Sequence, residues 1–248
     1  MKLATLSRGA GTPVTFLHGF TQTKESWLPV LDSLHVLIAA TLLDCPGHGE
    51  SPTQGRTLPQ TGDDVSQTMK AGVLVGYSMG ARIALHTALQ SPDKVQGLVL
   101  ISGTPGLRTE SERIDRRASD ESLAQDIEEV GVNEFITEWL SNPMFQGLSA
   151  DLADVPRRCT NTANGLADSL RFAGTGTQEP LWEQLPSLTM PVLIITGDRD
   201  NKFTEIAHQM TSLMPHAEHH IMKDVGHTCH LEDVRQFVDV FEDWLLSL

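Results

Sequence analysis

Short apolar runs, each broken by glycine, proline or acidic turn residues, recur along the chain. Val14-Thr15-Phe16-Leu17 predicts a buried strand that ends at His18-Gly19-Phe20, and His35 to Leu42 predicts the next, leaving through Asp44-Cys45-Pro46-Gly47-His48-Gly49-Glu50-Ser51. Val73 to Val75, Val95 to Ser102, Val192 to Thr196 and His219 to Met222 predict four more. Helical periodicity follows Gly80 and stops near Ser91-Pro92, because the residue before a proline is pushed out of the helical region. It returns over Thr204 to Met214 and over an amphipathic stretch from about Leu231 to Leu246, whereas the segment before Val73 reads as short for a full helix. Strands that are apolar throughout, alternating with helices, predict an α/β fold with a mostly parallel central sheet flanked by helices.

Between Thr104 and Pro186 the pattern changes. Charged helix formers dominate, as in Glu110-Ser111-Glu112-Arg113-Ile114-Asp115-Arg116-Arg117, and no buried strand stands out. The expectation is a core of residues 1–103 and 187–248 interrupted by a helical cap insertion, 104–186.

Composition narrows the partners. Lys and Arg number 18 against 32 Asp and Glu, a formal charge of −14 that repels nucleic acid and anionic membrane. Neither a signal-peptide apolar stretch nor a run long enough to span a bilayer is present, so the expectation is a cytoplasmic protein without membrane insertion, a monomer or small homo-oligomer. Cys45, Cys159 and Cys229, an odd set at wide spacing, predict reduced thiols rather than a disulfide framework. His227, Cys229 and His230 lack the second cluster that a structural zinc site needs, so no metal and no cofactor is expected.

The chemistry centres on Gly76-Tyr77-Ser78-Met79-Gly80, a G-x-S-x-G elbow between an apolar strand and a helix. Glycines two residues before and after the serine permit a tight turn that lifts its hydroxyl above the sheet. A serine is a poor nucleophile or base until an imidazole takes its proton and a carboxylate orients that imidazole. His227, in a turn after a predicted strand, supplies the imidazole. Asp198 and Asp200, both in the turn after Val192 to Thr196, compete for the acid. Charge developing on a substrate oxygen would be met by the backbone N–H groups of Met79, at a helix N-terminus, and of Phe20.

Taken together, Leu17-His18-Gly19-Phe20, the Asp44 to Ser51 loop, the elbow, Gly197-Asp198-Arg199-Asp200 and Gly226-His227 resemble the α/β-hydrolase superfamily over nearly the full chain. Several of these segments, with Ala81-Arg82, Pro105-Gly106-Leu107, Arg116, Trp139, Gly197 to Phe203 and Gly226 to Glu232, resemble the 2-succinyl-6-hydroxy-2,4-cyclohexadiene-1-carboxylate synthase family, carbon-oxygen lyases of menaquinone biosynthesis that eliminate pyruvate. The resemblance implies an α/β-hydrolase fold and a proton-abstracting triad of Ser78, Asp200 and His227, with Phe20 and Met79 as the oxyanion hole. It also implies Arg82, Arg116 and Arg158 as clamps on a small-molecule polycarboxylate, Arg157 competing for the last place. Tyr77, Trp139 and His18 complete the substrate-binding set, though each suits a packing role as well. The same motifs fit a hydrolase of esters or carbon-carbon bonds and, more remotely, a non-catalytic small-molecule receptor.

Overall fold

The computed structural model describes residues 1–248. Seven strands, β1 (Thr5–Arg8), β2 (Thr12–Leu17), β3 (Ile38–Leu43), β4 (Gly72–Tyr77), β5 (Val95–Ile101), β6 (Val192–Gly197) and β7 (Ala217–Met222), form one sheet in the order β1-β3-β2-β4-β5-β6-β7. Only β1 is antiparallel to its neighbour. This strand carries no apolar run. Three of its four residues are exposed, and it is held at the sheet edge by backbone pairing to β3. The strand predicted from His35 begins instead at Ile38, where pairing with Thr12 of β2 begins; Leu37 before it is 81% exposed.

Eleven helices accompany the strands: α1 (Leu28–Ser33), α2 (Leu58–Thr68), α3 (Met79–Gln90), α4 (Glu110–Val130), α5 (Val132–Leu140), α6 (Ala150–Ala153), α7 (Val155–Arg158), α8 (Ala163–Ala173), α9 (Asn201–Leu213), α10 (Cys229–Glu232) and α11 (Val234–Leu246). The segment before Val73 does hold a helix, the 11-residue α2. Thr57 and Gln60 close a capping box at its start, with Pro59 in the first turn, so a short stretch suffices. The helix expected from Leu231 is two helices, because Asp233 leaves helical geometry (φ −138°, ψ 83°) and accepts from the Gln236 N–H at 2.9 Å to cap α11.

Alternation along each strand sends side chains to two cores. On one face Leu17, Leu74, Leu98 and Ile194 pack with Ile83 and Leu85 of α3 and Met210 of α9. On the other, Phe16, Val75, Val99 and Ile195 pack with Val30 of α1 and Phe237 and Phe241 of α11. Helix α3 lies so close to the sheet that a Cβ on Gly80 would sit 2.3 Å from the Leu17 carbonyl oxygen. Between β5 and β6 the chain builds no strand. α4, α5 and α8 bury a separate small cluster, including Ile127, Phe135, Ile136, Leu166 and Leu170. No helix is long and apolar enough to cross a membrane.

Candidate active site

Ser78 follows β4 directly, at φ 51° and ψ −105°, a conformation that costs an L-residue on the order of 1–3 kcal/mol. The surrounding glycines make it possible: a Cβ on Gly76 would lie 2.4 Å from the Gly80 carbonyl oxygen. The Ser78 N–H donates to the Ile101 carbonyl at 2.8 Å, fixing the turn to β5. Asp200 stands in the turn after β6 and His227 in the turn after β7, so all three side chains meet at the carboxyl edge of the sheet.

The three form a hydrogen-bonded chain. Ser78 Oγ lies 3.2 Å from His227 Nε2, and His227 Nδ1 lies 2.6 Å from Asp200 Oδ2. A proton on Nδ1 directed at the carboxylate leaves Nε2 free to accept from the serine hydroxyl. Asp200 also caps α9, its Oδ1 accepting from the Phe203 N–H at 3.4 Å. Asp198 has no such contact; its side chain is exposed, and only its backbone N–H is engaged, by the Met222 carbonyl.

A cavity of about 260 Å³ opens over this chain. Phe20 and Met79 line it beside Ser78 and His227. Met79 opens α3, where the first N–H groups have no intrahelical acceptor, and the Phe20 N–H has no backbone acceptor either. Both residues that border the serine's cavity here thus carry a backbone N–H without a backbone acceptor. Arg82, Arg116 and Lys202 also line the cavity, and no Asp or Glu does, although the protein as a whole carries −14.

The two arginines differ. Arg82 is buried, donates to the Ala173 carbonyl at 2.8 Å and has no acidic partner; burial, aided by Arg116, pulls its guanidinium down to about 10. Arg116 is partly exposed and tied to Asp120 at 2.7 Å on the same helix face. Trp139 walls the cavity edge-on to Phe20, and its buried indole N–H has no partner.

Three residues of the expected binding set do not line this cavity. His18 is fully buried, and its Nε2 accepts from the Cys45 N–H at 3.0 Å while Nδ1–H faces the Gly19 carbonyl at 2.8 Å. Burial holds it down at about 4, so it is neutral and joins the Phe20 loop to the loop after β3. Tyr77 points to the opposite face of the strand from the cavity, its ring 4.4 Å from that of His230. Burial pushes its phenol up, and its ring excludes any side chain at position 19, where a Cβ would approach within 2.6 Å. Arg158 is buried, donates to the Ala153 carbonyl at 2.7 Å and to the Thr21 hydroxyl, and is lowered to about 10 by burial. Arg157 turns outward to Asp154.

The cavity also holds residues for which motif and spacing predict no role. Lys202 and Phe203 come from the first turn of α9, two and three residues past Asp200. Ser102, just after β5, adopts φ 47° with a buried hydroxyl that has no partner. The signal for Lys202 was its place in the Gly197 to Phe203 segment. Ser102 had none, since nothing in an apolar strand's last residue announces a positive φ.

A seven-stranded, mostly parallel sheet with a serine elbow after one strand and an acid and a histidine after two later ones defines an α/β-hydrolase architecture. The chain belongs to the alpha/beta hydrolase family, whose sequence profile matches residues 16–240. Within it, a Salmonella typhimurium protein named 2-succinyl-6-hydroxy-2,4-cyclohexadiene-1-carboxylate synthase is 33% identical over 92% of this chain and 92% of its own. A Bacillus subtilis protein described provisionally by the same name is 37% identical over 96% of this chain and 92% of its own. The solved structure of MenH from S. aureus superposes with a TM-score of 0.90 at 26% identity, covering 99% of this chain and 98% of that one.

Proposed function

We propose that the protein is a carbon-oxygen lyase that eliminates pyruvate from 2-succinyl-5-enolpyruvyl-6-hydroxy-3-cyclohexene-1-carboxylate, a cytoplasmic reaction that yields 2-succinyl-6-hydroxy-2,4-cyclohexadiene-1-carboxylate. Ser78, deprotonated toward His227 and with His227 oriented by Asp200, removes the proton at ring carbon 2, beside the succinyl ketone. The electron pair forms the 2,3 double bond, the 3,4 double bond moves to 4,5, and the bond from carbon 5 to the enolpyruvyl oxygen breaks. Pyruvate leaves as its enolate and takes up a proton. The Phe20 and Met79 N–H groups receive the negative charge that gathers on the ketone oxygen during proton removal.

The observation that carries this reading is a cavity lined by Arg82, Arg116 and Lys202, without an acidic residue, in a protein of charge −14 whose relatives share the synthase name over most of its length. The substrate bears three carboxylates, on the ring, the succinyl chain and the enolpyruvyl group. Planar guanidinium groups can hold carboxylates through paired charge-assisted hydrogen bonds. The helical segment 104–186 serves as a cap that closes over the bound substrate and excludes water. Incubating the purified protein with the substrate should release one pyruvate per cyclohexadiene formed, and only weak hydrolysis of neutral aryl esters should accompany it. Rapid ester hydrolysis with no pyruvate release would overturn the proposal in favour of a serine hydrolase.

A further inference from the structure

We propose that Glu232 is a positioning residue for His227, its carboxylate setting the arc along which Nε2 meets Ser78. The proposal rests on His227 as the proton carrier. The Gly226 N–H donates to Glu232 Oε2 at 2.7 Å and the Thr228 N–H donates to Oε1 at 3.0 Å. These are the residues immediately before and after His227. One carboxylate therefore holds both peptide groups that bracket the imidazole, and each bond is charge-assisted.

The brace is itself fixed. Glu232 ends the short α10, and its own N–H and that of Leu231 return to the Thr228 carbonyl at 3.0 and 2.8 Å, so the carboxylate and the turn it grips form one closed unit. A second cavity, of about 300 Å³, also reaches His227 and is bordered by Asp200, Gly147 and Glu232. Gly147 passes directly over the brace: a Cβ there would lie 1.9 Å from Glu232 Oε2, so only a glycine leaves the carboxylate where it is.

Displacing a reacting group by about 1 Å can cost about 100-fold in rate, which is the scale on which such a brace acts. The full-length protein would be compared as Glu232→Ala, Glu232→Gln and Gln236→Ala. Gln236 braces the same connection by accepting from the Lys223 N–H at 2.7 Å, but it touches neither neighbour of His227. Two activities are read, pyruvate elimination and the rate at which a fluorophosphonate labels Ser78, alongside the unfolding temperature and the His227 ring proton resonances. Glu232→Ala should lower kcat by about 100-fold with KM within about twofold, slow labelling in proportion and shift the His227 resonances. Glu232→Gln keeps one carbonyl acceptor but turns an amide NH2 toward the second N–H, and should lose about 10-fold. Gln236→Ala should leave kcat alone. Wild-type kcat and labelling in a folded Glu232 variant would overturn the proposal, as would an equal loss in Gln236→Ala. If the alanine variant does not fold, the glutamine variant decides by the same criteria. Should the wild type release no pyruvate while labelling still depends on Glu232, the substrate reading fails and the positioning role stands.

Discussion

On the floor of the cavity, Ser78, Asp200 and His227 stand on turns that leave β4, β6 and β7, and the sheet beneath them buries a core of 28 residues on one face and 23 on the other. The roof is carried by α4, α5 and α8, which share a cluster of only 7 buried residues. Groups that move protons must be held to a fraction of an ångström, whereas groups that recognise carboxylates tolerate more play. The two arginines express the same contrast. Arg82 rises from α3, is buried and has no anion of its own; Arg116 hangs from α4, is 41% exposed along its side chain and already answers Asp120.

The largest effect is expected on the floor. Ser78→Ala should lower turnover by about 10²–10⁴-fold with the fold intact, measured as pyruvate release, because the small side chain fits but transfers no proton. Near-wild-type turnover would remove Ser78 from the reaction and, with it, the meaning given to the floor. Arg82→Ala should cost about 1.5–3 kcal/mol of transition-state binding, or roughly 10–150-fold in kcat/KM, and Arg82→Lys should recover only part of it. A neutral aryl ester should scarcely notice either change. Equal losses on both substrates would make Arg82 a packing residue held by the Ala173 carbonyl.

On the roof and rim the same substitutions should matter less. Arg116→Ala and Lys202→Met should each raise KM by about two- to fivefold, since partly solvated charges contribute roughly 0.2–1 kcal/mol, and the effect should shrink as salt is added. A loss at Arg116 as large as that at Arg82 would abolish the distinction between floor and roof.

Acid should separate the two regions by stability. His18, His48 and His230 are buried in the floor and burial lowers them to about 4, 3 and 3, while residues 104–186 contain no histidine. Unfolded, these histidines take up protons near pH 6.5; folded, they do not until far lower, so the unfolded state binds more protons in that window. Stability is therefore complete above pH 6.5 and falls as the pH drops toward 4, by about 1.4 kcal/mol per pH unit for each histidine. On the roof, Glu121 and Glu128 are lowered by hydrogen bonds from Arg171, so its loss should begin only as the pH falls through the ordinary carboxylate range and continue below it. Urea unfolding of His18→Asn between pH 7 and 4.5 should show a shallower slope than the wild type; an unchanged slope would mean that His18 is not neutral in the fold.

Legibility in the sequence follows the same division. Five of the strands left apolar runs and β7 only the pair Ile221-Met222, and the elbow, the turn at Asp200 and the turn at His227 left motifs, because each must satisfy backbone geometry as well as chemistry. β1 left nothing, being held by backbone pairing with exposed side chains. Spacing alone did not separate Asp198 from Asp200; the structure does, by the direction of one turn. The resemblance placed His18, Tyr77 and Arg158 in the binding set. Yet strand alternation sends Tyr77 to the opposite face from the cavity, and His18 and Arg158 are occupied by Cys45, Gly19, Thr21 and Ala153. Which wall a side chain joins is set by partners far along the chain, and motif spacing does not show them.

The small separate cluster beneath α4, α5 and α8 has a consequence for descent. It meets the sheet's core through Phe20, which packs against both. Side chains within that cluster, such as Ile127 and Ile136, can therefore be exchanged with little repacking of the sheet, whereas Ala173 of α8 belongs to the sheet's own core and Ser169 lies against Met79 beside the strained turn. On the proposed function, a lineage that keeps the floor and rewrites that cluster would change what it recognises while keeping the same serine-histidine-aspartate chain.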